Sequence, residues 1–182
     1  MRFVALLIVV VFLTACGTGG GKIKILLEDV NQDFAPDKRV ALFDVRAIKK
    51  GGKYLLEGTS NLPEAVEALV AKCEDAGFKV ENRVEMYPDE TLEGKLYGVV
   101  NLSVCNIRSH PAHSAELSTQ ATLGTPLKVL TKQKGWYLIQ TPDGYLGWLD
   151  SGGFAQMTEE EMNDWQSAKK VVFLPQYGFA YG

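Results

Sequence analysis

From Val100 to Asp150, apolar and polar positions alternate in short runs broken by turn residues. Val100, Leu102 and Val104 alternate with Asn101 and Ser103, and Leu127 and Val129 open the next run. Trp136, Leu138 and Gln140 interleave with Tyr137 and Ile139, then Tyr145, Gly147 and Leu149 with Leu146 and Trp148. A period of two sends successive side chains to opposite faces of a strand. Thr141-Pro142-Asp143-Gly144 reads as a turn, because Pro presets φ and Gly tolerates a positive φ, and Lys132 to Gly135 reads as another. Arg108 to Ser118 is polar and reads as a long loop. Short strands at this spacing predict a small all-β barrel over residues 97–153.

Upstream the pattern changes. Ala41, Phe43 and Val45 alternate with Leu42, Asp44 and Arg46, which fits a strand; Gly51-Gly52 is a hairpin signal, and Tyr54 to Thr59 returns. Leu62, Ala65, Val66, Leu69, Val70 and Cys73 share one face of a helix, which Asn61 is placed to cap, with Pro63 in its first turn and Gly77 just beyond its end. Phe78 to Met86 supplies another strand. Residues 37–87 are therefore expected to form a β-β-α-β unit with its helix on one face of the sheet. Residues 88–96 read as a linker, and residues 22–36 as a short helix or an ordered lead-in. After the barrel, Thr158 and Glu161 make a capping box for a helix, and Lys170 to Leu174 reads as a strand. The expected class is thus an α+β unit followed by an all-β barrel, with a short helix and strand at the C-terminus.

Composition adds a compartment. Arg2, the apolar run Phe3 to Leu13 and the closing Leu13-Thr14-Ala15-Cys16 form a lipoprotein signal peptide over residues 1–15. The run is too short to persist as a spanning helix. Cys16 is the expected lipidation site, and Gly17 to Gly21 a flexible tether opening the stretch 16–36. Gly17 in place of Asp resembles the sorting signal for the outer membrane, facing the periplasm. A formal charge of -3 gives no reason to expect nucleic acid as a partner. Cys73 and Cys105 lie on expected core positions, so they read as buried small apolar residues, although an oxidising compartment would permit a disulfide. No Cys/His spacing suggests a metal, and no cofactor is expected.

The segments VNLSVCNIRSHPAHSAEL, GTPLKVL and KGWYLIQTPDGYLGWLD together resemble a bacterial Src-homology-3 (SH3) domain. They resemble in particular the one that precedes the catalytic domain in NlpC-type cell-wall cysteine endopeptidases carried on lipoproteins. The resemblance implies an SH3-like barrel and a role with peptidoglycan stem peptides, in a family that cuts the γ-D-glutamyl–diamino-acid bond. It also implies that residues 154–182 hold the start of a second SH3-like domain and that the chain is a shortened member. In such domains the long loop and a strand Tyr shape the pocket for the free amine of the stem peptide. Tyr145 matches that Tyr, and His110 stands after Arg108-Ser109 where the family commonly has Glu. Glu116 could supply the missing carboxylate.

Cysteine-peptidase chemistry needs a thiolate, a His and an orienting group. The two histidines, His110 and His113, share one loop, and the family's catalytic Cys motif is absent, so no enzyme activity is expected of this chain. The candidate ligand-binding residues are Tyr145, Glu116, His110, Arg108 and Trp148. Trp136 and Trp148 fit barrel core or interdomain packing better than a ligand platform, and Arg108 fits a loop anchor. Lys128, Lys132 and Lys134 read as a solvated edge. The partners expected are stem peptides and, through the lipid, a membrane. The alternative is a scaffold lipoprotein that holds a separate envelope peptidase, or a remnant without function.

Overall fold

The computed structural model describes residues 19–171. The signal segment, Cys16 and most of the strand expected over Lys170 to Leu174 lie outside them, as does most of the expected second SH3-like start.

The first described element is α1 (Gly19–Phe34), so Gly19 to Gly21 of the expected tether are helical and residues 22–34 take the helical alternative. Ile23, Leu26, Leu27 and Val30 recur at helical spacing, and Ile23 and Val30 are buried in the first core cluster. Burial of that stripe against the sheet outweighs the helix cost of Gly19, Gly20 and Gly21, roughly 1 kcal/mol each. Then come β1 (Phe43–Lys50) and β2 (Lys53–Ser60), joined by Gly51 and Gly52 with φ of 59° and 81°, the two positive values that a type I′ hairpin turn requires. α2 (Pro63–Asp75) crosses back to β3 (Val80–Met86), which pairs parallel to β2. Phe43, Tyr54, Leu56, Ala65, Val66, Leu69 and Cys73 fill the space between sheet and helices. Asn61 does not cap α2. The cap position is Leu62, without a side-chain bond, and the Asn61 side chain instead accepts the Leu42 amide at 2.9 Å.

The connection beyond β3 is packed rather than loose. Asp89 caps a 3-10 turn, Glu90–Leu92, by accepting the Thr91 amide, and this turn drives Leu92 into the barrel core at 2% exposure. The barrel sheet comprises β4 (Tyr97–Val100), β5 (Val104–Arg108), β6 (Leu117–Thr122), β7 (Pro126–Gln133), β8 (Trp136–Gln140), β9 (Leu146–Asp150) and β10 (Phe154–Met157). The strand order is β10-β4-β7-β8-β9-β5-β6. Phe154–Met157 thus continues the barrel beyond the expected boundary at residue 153. The run Val100 to Val104 is not one strand. The chain bends at 101–103, so Val100 faces the core while Leu102 and Val104 are exposed, and Cys105 and Ile107 take the inward positions. β6, inside and just past the stretch read as loop, pairs with β5 from Val104↔Thr122 to Arg108↔Leu117.

Val100, Cys105, Ile107, Leu127, Val129, Ile139, Leu149 and Phe154 make the barrel interior. Space there is tight. A β-carbon on Gly147 would stand 2.5 Å from Ile107 Cγ2, and one on Gly98 2.4 Å from Phe154 Cδ2. α3 (Glu159–Ser167) starts with the expected Thr158/Glu161 capping box and lays Met162 onto the barrel, next to β4 and β10.

Candidate functional site

The outer face of the barrel carries the candidate residues, because alternation sends Trp136, Leu138 and Gln140 of β8, and Leu146, Trp148 and Asp150 of β9, away from the interior. Much of that face is covered. Leu130, Leu138, Leu146 and Trp148 pack with Leu42 and Tyr87 of the N-terminal unit. The Leu146 amide donates to the Arg39 carbonyl at 2.7 Å, and Gln140 Nε2 donates to the Val40 carbonyl at 3.1 Å. Trp148 is half-buried in this interface, so its flat surface serves packing between the two units.

Tyr145 sits just after the turn, where the Gly144 amide donates to the Thr141 carbonyl at 2.9 Å and Gly144 has a φ of 91°. The Arg39 guanidinium lies 5.8 Å from the centroid of its ring. Arg39 is in turn gripped by Asp37, which accepts from its Nη2 at 2.7 Å and its Nε at 3.0 Å. These hydrogen bonds hold the Asp37 carboxyl at about 2, well under the ordinary value.

The loop residues stand elsewhere. Arg108 pairs with Trp148 in register and donates from Nη1 to the Ala115 carbonyl at 2.8 Å, which ties the loop's far end to β5. His110 is exposed, with Nδ1 3.0 Å from Ser109 Oγ, and Glu116 is exposed, its carbonyl accepting the Ser109 amide at 2.9 Å. His113 packs edge-on against Trp136 at 4.9 Å between centroids and reaches within 3.9 Å of Asp150. The loop therefore leans on the end of β8 and β9 opposite Tyr145. Among the described residues, no hydrogen bond or ion pair joins Tyr145 to His110 or Glu116. The five candidates do not converge on one amine pocket.

What the fold does bring together is a row that sequence reading missed. Tyr97 of β4 pairs with Lys128 of β7, and Lys128 pairs with Gln140 of β8. Lys128 is not on an edge, since β7 lies between β4 and β8. The row floors two adjoining cavities. One, of about 290 Å³, is bounded by Pro126, Pro142, Met162 and Gln166; the other, of about 260 Å³, by Asn61, Tyr87, Pro88 and Leu130. Gln140 is fixed by donating to the Val40 and Gly144 carbonyls. No periodicity signal could have revealed this row, because it depends on β4 returning to pair with β7, about thirty positions further along the chain, beside the β7–β8 hairpin.

Cys105 and Cys73 are free and buried in separate cores. Burial pushes both thiols up, away from the thiolate that nucleophilic chemistry needs. No curated protein matches the chain. The family model described as bacterial SH3 domain matches residues 102–155, so the strands from β5 to the start of β10 constitute a bacterial SH3 domain.

Proposed function

We propose that this protein is a cell-envelope lipoprotein whose SH3 domain binds peptidoglycan stem peptides without cutting them. The observation that carries this reading is the bacterial SH3 domain at residues 102–155, a module that commonly mediates cell-wall binding. The non-catalytic part is supported by Cys73 and Cys105, both buried, with burial pushing their thiols up. The anchor is Cys16 at the end of an apolar leader, and the protein faces the periplasm from the outer membrane. The module acts as the specificity part of a γ-D-glutamyl–diamino-acid endopeptidase would, holding the wall while hydrolysis is done by another domain or chain.

The test is co-sedimentation of the mature protein with purified sacculi, together with labelling by radioactive palmitate in cells. Retention on sacculi and a label that Cys16→Ala abolishes are the expected results. A protein that stays in the supernatant overturns the binding reading, and an unlabelled one overturns the anchor.

A further inference from the structure

The N-terminal unit roofs the outer face of the barrel over β8 and β9, and α3 roofs it beside β4 and β10. Between the two roofs the face stays open along β7. The opening runs from Pro126, beneath Met162 and Gln166, past Lys128, to Leu130, beneath Tyr87 and Pro88. Four strand steps give it a length of about 13 Å. That length accommodates three to four extended residues.

The chemistry of the slot is one-sided. Around the floor stand Tyr87, Pro88, Leu130, Pro126 and Met162, with Asn61, Thr141 and Gln166 as neutral polar side chains among them. Lys128 is the one charged side chain lining either cavity, and no carboxylate lines them. Lys128 is exposed, and its side chain has no ion-pair or hydrogen-bond partner among the described residues, as is true also of Lys132 and Lys134; what sets it apart is its place between the two cavities. The carboxylate of Asp89, next to Pro88 in sequence, is turned to Thr91 and Thr131. Gln140, whose amide nitrogen is committed to two carbonyls, has its side-chain oxygen left as an acceptor. A central unpaired ammonium in a walled slot of strand-like length complements an extended peptide that carries a carboxylate midway.

We infer that the slot over Tyr97, Lys128 and Gln140 is the peptide-binding site and that Lys128 pairs with a carboxylate carried midway along the bound stem peptide, the free α-carboxylate of a γ-linked glutamyl residue. This rests on the reading of the protein as a stem-peptide binder, and it moves the site from the Tyr145 turn and the 109–116 loop to the junction of barrel, N-terminal unit and α3. The joint is part of the site: the SH3 segment 102–155 supplies Pro126, Lys128, Leu130 and Gln140, while Tyr97 of β4, Tyr87 and Pro88 after β3 and Met162 of α3 come from outside it.

The experiment titrates the full mature protein with purified L-alanyl-γ-D-glutamyl-diaminopimelate, and with the same peptide amidated at its carboxyls, following side-chain and amide NMR signals. Lys128→Glu is compared with Lys134→Glu, the same charge change on the exposed β7–β8 turn. Shifts at Tyr97, Lys128 and Gln140, an affinity about tenfold or more weaker for Lys128→Glu and for the amidated peptide, and an affinity within about twofold of wild type for Lys134→Glu are expected. Shifts confined to Tyr145 and the 109–116 loop, or equal binding by Lys128→Glu and wild type, overturn the slot. Sacculus co-sedimentation separates the two readings. Sacculi held equally by wild type and Lys128→Glu leave wall binding standing and remove the slot. A slot that takes the free peptide in a protein that never binds sacculi leaves the slot standing and removes wall binding.

Discussion

The Leu146 amide donates to the Arg39 carbonyl at 2.7 Å, so the first residue of β9 is fastened to a segment more than a hundred positions away in the chain. This bond and the Gln140–Val40 bond stitch the N-terminal unit to the barrel by main-chain acceptors, which hold whatever the side chains at Arg39 and Val40 are. The apolar cluster of Leu130, Leu138, Leu146, Leu42, Tyr87 and Trp148 does the rest, and its members Leu130 and Tyr87 line the slot.

Leu146 is 9% exposed at the centre of that joint. Leu146→Ala removes buried methylenes and leaves a void that both units border, at a cost of about 2–3 kcal/mol. Urea denaturation should show that loss, together with faster hydrogen exchange at the Leu146 amide. Unchanged stability would mean that the two units do not share this cluster in solution.

Gly58 in β2 is a place where no other residue fits. Its φ is 132°, and a β-carbon there would lie 1.9 Å from the Asp44 carbonyl oxygen of the paired strand β1. The obstacle is backbone, which cannot rotate away as a side chain could. Gly58→Ala should destabilise the N-terminal unit by about 3 kcal/mol through overpacking and strain. Thermal melts of the full chain check this, and a melting temperature within about a degree of wild type would contradict it.

The parts of the fold that the sequence shows clearly are those set by local pattern. The Gly51-Gly52 hairpin, the helical stripe ending at Cys73 and the Thr158/Glu161 box each carry their signal within a dozen residues, and each forms. Where tertiary packing decides, the pattern misleads. Val104 is apolar yet 53% exposed, because the chain bends before it and hands the inward parity to Cys105 and Ile107. β6 reads LSTQAT, with Ala121 its one buried residue, so an edge strand of this kind has almost no alternation to display. α1 hides three glycines inside its first turns. The candidate site fared similarly. Tyr145 and Trp148 are conspicuous aromatics, but the N-terminal unit engages both, and Lys128 becomes interesting only once β4 and β8 are seen on either side of it.

Cys73 and Cys105 set an alkaline limit. Desolvation by burial raises both thiols above the ordinary 9.0, with Glu74 and Asp150 adding to it. A group whose folded pKa is raised contributes stability that is fully present below its unfolded pKa and is lost as pH rises through the folded one. Stability should therefore be level from neutral pH up to about 9 and decline above it. The decline should be shallower in Cys73→Ala, whatever that variant's lower starting stability. Neither thiol should react with iodoacetamide in the native protein, and both should do so in urea. Prompt labelling of Cys105 without denaturant would contradict its place in the barrel core.

Asp37 sets the corresponding acid response, and it is small because the carboxylate is open to solvent. It accepts the Arg39 amide at 2.9 Å as well as the guanidinium, and side-chain and backbone hydrogen bonds together lower it from 3.8 to about 2. A depressed carboxylate contributes stability that is present above its unfolded pKa and lost as pH falls through the folded value. Its small contribution to stability should therefore fade as pH drops from about 4 to about 2, and as pH passes through about 2 protonation of Asp37 releases Arg39, whose guanidinium lies over Tyr145. An NMR titration should give Asp37 a midpoint near 2, and the Tyr145 ring signals should move with the same midpoint. Arg39→Ala should return Asp37 toward 3.8 and remove the acid step from Tyr145 altogether. If Tyr145 responds to acid equally in that variant, Asp37 and Arg39 are not what holds the turn against the N-terminal unit, and the main-chain bonds at Leu146 and Gln140 carry that joint alone.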